Sequence, residues 1–145
     1  MLFQEVEEIF LENSIKCGSH KKILSDLRLF DQEMDIDTLK SIKFLDQSIE
    51  LSFELSIKYD LIINLPQFYP FKTPEIYVVD LNKNKKLEFR EFINRKRNKN
   101  VDKKSIFNKL DTMFIQEIPA INLVDILEEI MNISKQFKIG WFSKN

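Results

Sequence analysis

The sequence predicts an α+β domain with an N-terminal helix, a four-stranded antiparallel meander and a C-terminal core helix packed on the sheet. Three observations support this fold. Apolar residues recur at helical spacing near both ends of the chain, whereas they alternate with polar residues over residues 42–57. Three of the four prolines lie within residues 66–74, where they exclude both a helix and an interior strand. A chain of 145 residues can bury one core, so we expect a single domain over residues 1–145.

Two helices are predicted at the amino-terminal end. The first lies in an extension over residues 1–18, and its apolar face consists of Phe3, Val6, Ile9 and Phe10. The helical pattern is interrupted at Cys17-Gly18. Ser19 is then expected to be the N-cap of the helix KKILSDLRLF. This second helix is predicted to bury Ile23, Leu24, Leu27 and Phe30.

The periodicity then changes to that of half-buried strands. Alternating apolar residues predict strands around Ile42 and Phe44 and over residues 49–57, and LIINL supplies a third strand. The fourth strand, EIYVV, lies beyond the prolines. Proline fixes φ and pushes the preceding residue towards extended geometry, so a stiff, extended crossing is predicted at Pro66, Pro70 and Pro74. Three rings that would otherwise face water are expected to pack on the core, namely Phe68, Tyr69 and Phe71.

A basic segment follows the fourth strand. Residues 83–109 carry eleven Lys or Arg and three acidic residues, although the whole chain has a net charge of −1. We therefore expect a basic insertion over residues 81–107, either as a short helix with Leu87, Phe92 and Ile93 inside or as a mobile arm. Three roles are possible for this segment: a solvated insertion, a nucleic-acid contact, or a surface that binds an acidic protein partner. The residues of such a surface would be Arg90, Arg95, Lys96 and Arg97. The sequence pI near 5.9 argues against nucleic acid.

Two further helices complete the predicted core. The pattern KKSIFNKLDTMF places together Ile106, Phe107, Leu110 and Phe114. The last helix begins at Asn122, and Asp125 three residues later resembles a capping box. Its core stripe consists of Leu123, Ile126, Leu127, Ile130 and Phe137, and residues 138–145 form a tail.

The composition excludes several kinds of site. The single cysteine, Cys17, precludes an internal disulfide and a Cys-based zinc cluster, and it indicates an intracellular protein, cytoplasmic or nuclear. The single histidine, His20, is expected on the surface near a helix start, and it argues against a histidine metal site or a Ser-His triad. Two glycines allow no Gly-rich phosphate loop. We therefore predict no cofactor and no metal, and no membrane association because no apolar run approaches about 20 residues.

The stretch DLIINLPQFYPFKTPEIYVV resembles the core of the ubiquitin-conjugating enzyme (E2) superfamily, which includes the RWD domains. In that superfamily, a strand ends at a proline, and a Tyr-Pro-x-x-x-Pro motif then leads into the fourth strand. In this sequence the motif is formed by Tyr69, Pro70 and Pro74. KKILSDLRLF looks like the first helix of the family. A second resemblance is to the family's segment around the catalytic cysteine and the second core helix, and it covers NKLDTMFIQEIPAINLVDILEEI. The residues that fall in register are Leu110, Asp111, Pro119, Ala120 and Asn122.

This register implies that Lys109 stands where an E2 carries its nucleophilic cysteine. An E2 needs a thiolate that accepts ubiquitin as a thioester and releases it, whereas an amine would form an amide that does not turn over. The His-Pro-Asn motif of the family, whose Asn is the expected oxyanion stabiliser, is absent as well. The resemblance therefore implies a catalytically inactive E2 variant.

The implied function is a protein-interaction module, acting as a scaffold or cofactor in a ubiquitin or ubiquitin-like pathway. Its partner would be an active E2, a ubiquitin-like protein, an E3 or a scaffold subunit. The candidate apolar contacts are Phe3, Val6, Phe10, Trp141 and Phe142, unless these side chains pack on their own sheet. Two alternatives remain: an active conjugating enzyme that uses Cys17 as a displaced nucleophile, and an RWD-type assembly module outside the ubiquitin pathway.

Overall fold

The helices and strands are those of a computed structural model that describes residues 1–13, 18–96, 98–115 and 121–140. Two helices, α1 (Phe3–Glu12) and α2 (Gly18–Glu33), precede a short 3-10 helix (Ile36–Thr38). The strands are β1 (Leu39–Phe44), β2 (Ser48–Glu54), β3 (Tyr59–Pro66), β4 (Glu75–Asp80) and β5 (Lys85–Glu88). Three helices follow, α3 (Phe89–Asn94), α4 (Asn108–Phe114) and α5 (Leu123–Lys135). The predicted α+β class is confirmed, with an N-terminal helix, an antiparallel sheet and a C-terminal helix packed on it.

The sheet has five strands in the order β1-β2-β3-β4-β5, and every neighbouring pair is antiparallel. The prediction of four strands was therefore wrong. β5 reads KKLE and alternates too little to be recognised, since only Leu87 of its four side chains is half-buried. The turn before it passes through Asn84 at φ 51°, a conformation that Asn tolerates better than most residues. Such a short, lysine-bearing strand is typical of a sheet edge.

The basic insertion is ordered at its start. α3 begins directly after β5 and buries Phe89, Phe92 and Ile93, so the short-helix alternative is correct for residues 89–94. The next predicted helix is shorter than its sequence pattern indicated, because residues 103–107 form turns and α4 begins at Asn108. Ile106, Phe107 and Leu110 are nevertheless buried as expected.

The C-terminal helix matches its prediction closely. Asn122 caps α5, since its side-chain oxygen accepts a hydrogen bond from the Asp125 backbone N–H at 3.0 Å. The predicted stripe is buried in the core at Leu123, Ile126, Leu127 and Ile130, and Phe137 is half-buried beside it. None of the described helices is long and apolar enough to cross a membrane.

The N-terminal helix packs on its own chain. Val6 is 0% exposed and Phe10 is 7% exposed, and both belong to the core. Phe3 is half-buried, with the Arg28 guanidinium 5.5 Å from its ring centre. Of the two expectations for α1, packing on its own domain is therefore the one seen in this conformation. A partner could contact Val6 or Phe10 only if α1 moved away from the domain.

His20 lies near the start of α2, as expected, and is half-buried beside two aromatic rings. Its ring centre is 5.9 Å from that of Phe10 and 5.4 Å from that of Phe44, so the imidazole lies where α1, α2 and β1 meet. Burial lowers the pKa of His20 from its ordinary value of 6.5. The folded state consequently favours the neutral imidazole.

This lowered pKa predicts a specific pH dependence of stability. As the pH falls below 6.5, the unfolded chain takes up a proton at His20 before the folded chain does, so the free energy of unfolding decreases through that window. Urea midpoints measured across this range should fall more steeply for the wild type than for His20→Gln, which cannot titrate. Parallel curves for the two proteins would contradict the prediction.

Candidate partner-binding site

Residues 67–72, between β3 and β4, form a tight turn, which we call the Tyr-Pro turn. The backbone N–H of Tyr69 donates to the carbonyl of Pro66 at 2.9 Å, and that of Phe71 donates to the carbonyl of Phe68 at 2.7 Å. The peptide bond between Tyr69 and Pro70 is cis. The predicted extended crossing was wrong for these turn residues. Residues 67–74 hold neither a helix nor a strand, as predicted. The exclusion of an interior strand fails at Pro66, which is the last residue of the central strand β3 and pairs with Ser48. A fixed φ suits a turn as well as an extended segment.

The inner side of the Tyr-Pro turn is held by side-chain hydrogen bonds. Tyr69 is 2% exposed, and its hydroxyl donates to Asp26 Oδ2 at 2.6 Å. Ser19 Oγ donates to the carbonyls of Gln67 and Tyr69. Ser19 was predicted to precede its helix as the N-cap, but it lies inside α2 and fixes the turn instead. Burial and the neighbouring Asp26 raise the pKa of Tyr69, so the phenol stays protonated and remains a donor.

Asp26 connects three elements at one buried carboxylate. Besides the Tyr69 hydroxyl, its Oδ2 atom accepts the backbone N–H of Leu123, the first residue of α5, at 3.1 Å. Its Oδ1 atom lies 2.9 Å from Lys22 Nζ. Asp26 is 3% exposed, so these partners replace the water that would otherwise solvate it. The Tyr-Pro turn is thereby tied to α2 and to the N-terminus of α5.

The outer side of the Tyr-Pro turn presents two aromatic rings to solvent. Phe68 is 56% exposed and Phe71 is 79% exposed, so the expectation that all three aromatic rings pack on the core was wrong for these two. Tyr69 alone carries a hydroxyl that can pair with the buried Asp26, which explains why it takes the interior position. Lys72 Nζ lies 5.6 Å from the centre of the Phe68 ring, in cation–π contact.

A groove begins where the Tyr-Pro turn enters β4, and we call it the edge groove. Its volume is about 290 Å³. The polar part of its lining comprises Thr73, Glu75, Tyr77, Glu88 and Arg90. The apolar part comprises Pro74, Ile76, Phe89, Leu110 and Phe114. The start of the basic insertion thus forms one wall of the groove, and α4 forms another.

Lys109 lies on α4 next to Leu110, which lines the edge groove. Its side chain is 71% exposed, and its Nζ atom is 3.7 Å from Glu129 Oε2 on α5. The side chain of Glu129 is only 9% exposed. Lys109 itself does not line the edge groove, and its side chain is directed at α5. The correspondence of its position to that of an E2 cysteine stays a prediction.

Most basic side chains of residues 83–109 contact their own chain. Arg90 forms an ion pair with Asp111 and lies 5.0 Å from the Phe107 ring centre. Arg95 NH2 is 2.8 Å from Glu91 Oε1. Lys96 Nζ lies 5.2 Å from the ring centre of Tyr59 and 4.7 Å from that of Phe92. These contacts reduce the charge that the segment offers to a partner.

Several candidate residues lie outside the part of the chain that the structure describes. They are Cys17, Arg97, Pro119, Ala120, Trp141 and Phe142. Their predicted roles stay predictions.

The sequence reasoning missed Asp26 and the outward direction of Phe68 and Phe71. One signal for Asp26 was present, because it lies three residues after Ile23 and one before Leu27 on the buried face of α2. A carboxylate at such a position requires buried donors, and Tyr69 supplies one of them.

Comparison of the chain with protein-family models, with curated proteins and with solved structures found no match. Within the described ranges, no group of three or more His, Cys, Asp or Glu side chains is placed to hold a metal ion. The candidate site thus consists of two exposed aromatic side chains on the Tyr-Pro turn and of the edge groove, whose lining is partly polar and partly apolar.

Proposed function

We propose that this chain is a non-catalytic protein-interaction module with an E2-like fold, serving as a scaffold or cofactor in a ubiquitin or ubiquitin-like pathway. The observation that supports it is the exposure of Phe68 and Phe71 on the Tyr-Pro turn. The assignment to the E2 superfamily rests on the Tyr69-Pro70-x-x-x-Pro74 resemblance. We place the partner contact on the outer side of that turn.

Two physical features favour binding there. Burying a phenylalanine ring that is now in water gains about 1.5–3 kcal/mol, and aromatic side chains are enriched where binding energy concentrates. The Tyr-Pro turn is held by the buried hydrogen bonds of Tyr69 and Ser19, so little conformational freedom is lost when a partner docks. An exposed aromatic pair on a fixed turn is suited to recognition.

The non-catalytic part of the proposal depends on Lys109. In the register of the resemblance, the group at the position of the E2 cysteine is an amine, and an acyl group transferred to it would remain as an amide. Lys109 Nζ also lies 3.7 Å from Glu129 Oε2, within ion-pair distance. Conjugation by this chain would then need another nucleophile.

A charging reaction tests this conclusion. We expect the purified chain, incubated with a ubiquitin-activating enzyme, ATP and ubiquitin, to form no adduct that a reducing agent removes. An active E2 run in parallel is the positive control. A reductant-sensitive adduct that disappears with Cys17→Ser would establish the displaced-nucleophile alternative instead.

Replacing Phe71 with serine is expected to reduce partner recovery at least about fivefold, since a lost contact of about 1 kcal/mol or more changes affinity by that factor. Ile57→Ser is the matched control, because Ile57 is 92% exposed and lies in the turn between β2 and β3. Tagged variants would be expressed in the native cell and their co-purified proteins quantified by mass spectrometry. Equal recovery of the same partner with both variants would contradict the proposal, and recovery of partners unrelated to ubiquitin would favour the RWD-type assembly alternative.

A further inference from the structure

The two long edges of β4 are paired to different extents. On one side, all six residues from Glu75 to Asp80 pair with β3. On the other side, β5 pairs only with the stretch from Tyr77 to Asp80. Among the described residues, Glu75 and Ile76 consequently have no strand beside them where β5 would continue.

The edge groove lies at this gap. Its lining combines Glu75 and Ile76 of β4 with Glu88, the last residue of β5, and with Phe89 and Leu110. A groove that borders an incompletely paired strand offers an extended peptide a strand edge with which to pair. Its volume of about 290 Å³ is near the lower end of the range for binding pockets, enough for a short piece of chain with its side chains.

The charges of the lining select among peptides. The carboxylates of Glu75 and Glu88 are on exposed residues at the rim. The cation of the lining, Arg90, is already paired with Asp111. The lining residues, two carboxylates and one paired guanidinium, therefore carry net negative charge beside the apolar side chains of Ile76 and Phe89. Lys86 Nζ lies next to this lining, 4.4 Å from the Tyr77 ring centre.

We propose that the edge groove binds an extended segment of a partner protein, which adds to β4 in line with β5. The segment carries lysine or arginine side chains towards Glu75 and Glu88, and an apolar side chain towards the apolar part of the lining. Backbone hydrogen bonds to β4 supply affinity, and the alternate side chains supply selectivity. The inference rests on the proposed function in requiring a protein partner, but it does not use the outer side of the Tyr-Pro turn.

Nuclear magnetic resonance titration of the isotope-labelled chain with three blocked octapeptides tests the inference. The first alternates lysine and valine, the second has glutamate in place of lysine, and the third is the first with alternate backbone nitrogens methylated. We expect the first peptide to shift the amide signals of Glu75, Ile76 and Tyr77. The glutamate peptide and the methylated peptide should bind at least about tenfold more weakly, as expected when a charge pairing or a strand ladder is lost.

Charge-reversal variants make the test specific to the groove. Glu75→Lys combined with Glu88→Lys should weaken the lysine peptide at least about tenfold, because two attractive contacts become repulsive. Glu12→Lys combined with Glu128→Lys makes the same change of net charge at exposed residues that do not line the groove, and should leave binding unchanged. Phe71→Ser should also leave it unchanged, so a failure of the proposed function and a failure of this inference can be told apart.

Four outcomes would overturn the inference. One is no shift at millimolar peptide, and a second is a set of shifts that lies away from the groove. A third is equal binding of the lysine and methylated peptides, which indicates charge attraction without strand pairing. The fourth is self-association in light scattering accompanied by the same amide shifts, which would make a second copy of this chain the occupant.

Discussion

Replacing Tyr69 with alanine is expected to lower the free energy of unfolding by about 4 kcal/mol, within the range for removing a large buried aromatic side chain. The ring is 2% exposed, so its removal leaves a cavity in the core. The substitution also removes the hydroxyl that donates to Asp26 at 2.6 Å, which leaves a buried carboxylate oxygen with one donor fewer. Urea denaturation followed by circular dichroism measures the change.

Two further variants divide this loss into its parts. Tyr69→Phe keeps the ring and removes the hydroxyl, so we expect a loss of about 1–3 kcal/mol. Phe71→Ala is the matched control within the same turn, and at 79% exposure it should change the free energy of unfolding by less than about 0.5 kcal/mol. A Tyr69→Ala loss no larger than that of Phe71→Ala would show that the turn is not held by Tyr69.

The contrast between these neighbours separates stability from recognition. Tyr69 and Phe71 are two residues apart, yet one is buried and the other is exposed. Tyr69→Phe should weaken partner binding only indirectly, by making the Tyr-Pro turn less rigid. Phe71→Ser should weaken partner binding directly and leave the free energy of unfolding unchanged. The turn would then be a structural support that presents a binding residue.

The sequence predicted those elements whose partners are regular and nearby. α5 was predicted with its cap and its stripe because Asn122 and the repeated apolar residues are local signals. β1 and β2 were recognisable from alternation, although Ile57, predicted inside, is 92% exposed in a turn. β3 and β4 were recognisable as the short apolar runs LIINL and EIYVV. β5 was not recognised because its position at the sheet edge depends on pairing with β4, and an edge strand needs no apolar alternation.

The candidate site could be predicted only in part, since long-range contacts decide its form. The prolines indicated a rigid connection, but the direction of each ring depends on Asp26, which is 43 residues from Tyr69. The same limit applies to α1, whose apolar face could equally have served a partner. Its burial follows from packing against α2, with His20 and Phe44 around Phe10. No periodicity in α1 itself encodes that choice.

The buried carboxylate of Asp26 is the other group whose loss should have a large effect. Asp26→Ala removes the acceptor for the Tyr69 hydroxyl and for the Leu123 N–H, and it removes the anion beside Lys22. Each buried donor left without an acceptor costs about 1–3 kcal/mol, and this substitution leaves two, so we expect a loss of about 2–6 kcal/mol. Asp31→Ala, at an exposed position of the same helix, should change the free energy of unfolding by less than about 0.5 kcal/mol.

A double-mutant cycle tests whether Asp26 and Tyr69 act as one unit. Asp26→Ala and Tyr69→Phe each break the same hydrogen bond, so the double variant should lose about 1–2 kcal/mol less than the sum of the single losses. Urea denaturation of the four proteins under one buffer condition gives this coupling energy. Additive losses would mean that the two side chains stabilise the fold separately. In that case Asp26 would act through α2 and the N-terminus of α5, and the Tyr-Pro turn would owe its position to the burial of the Tyr69 ring and to Ser19.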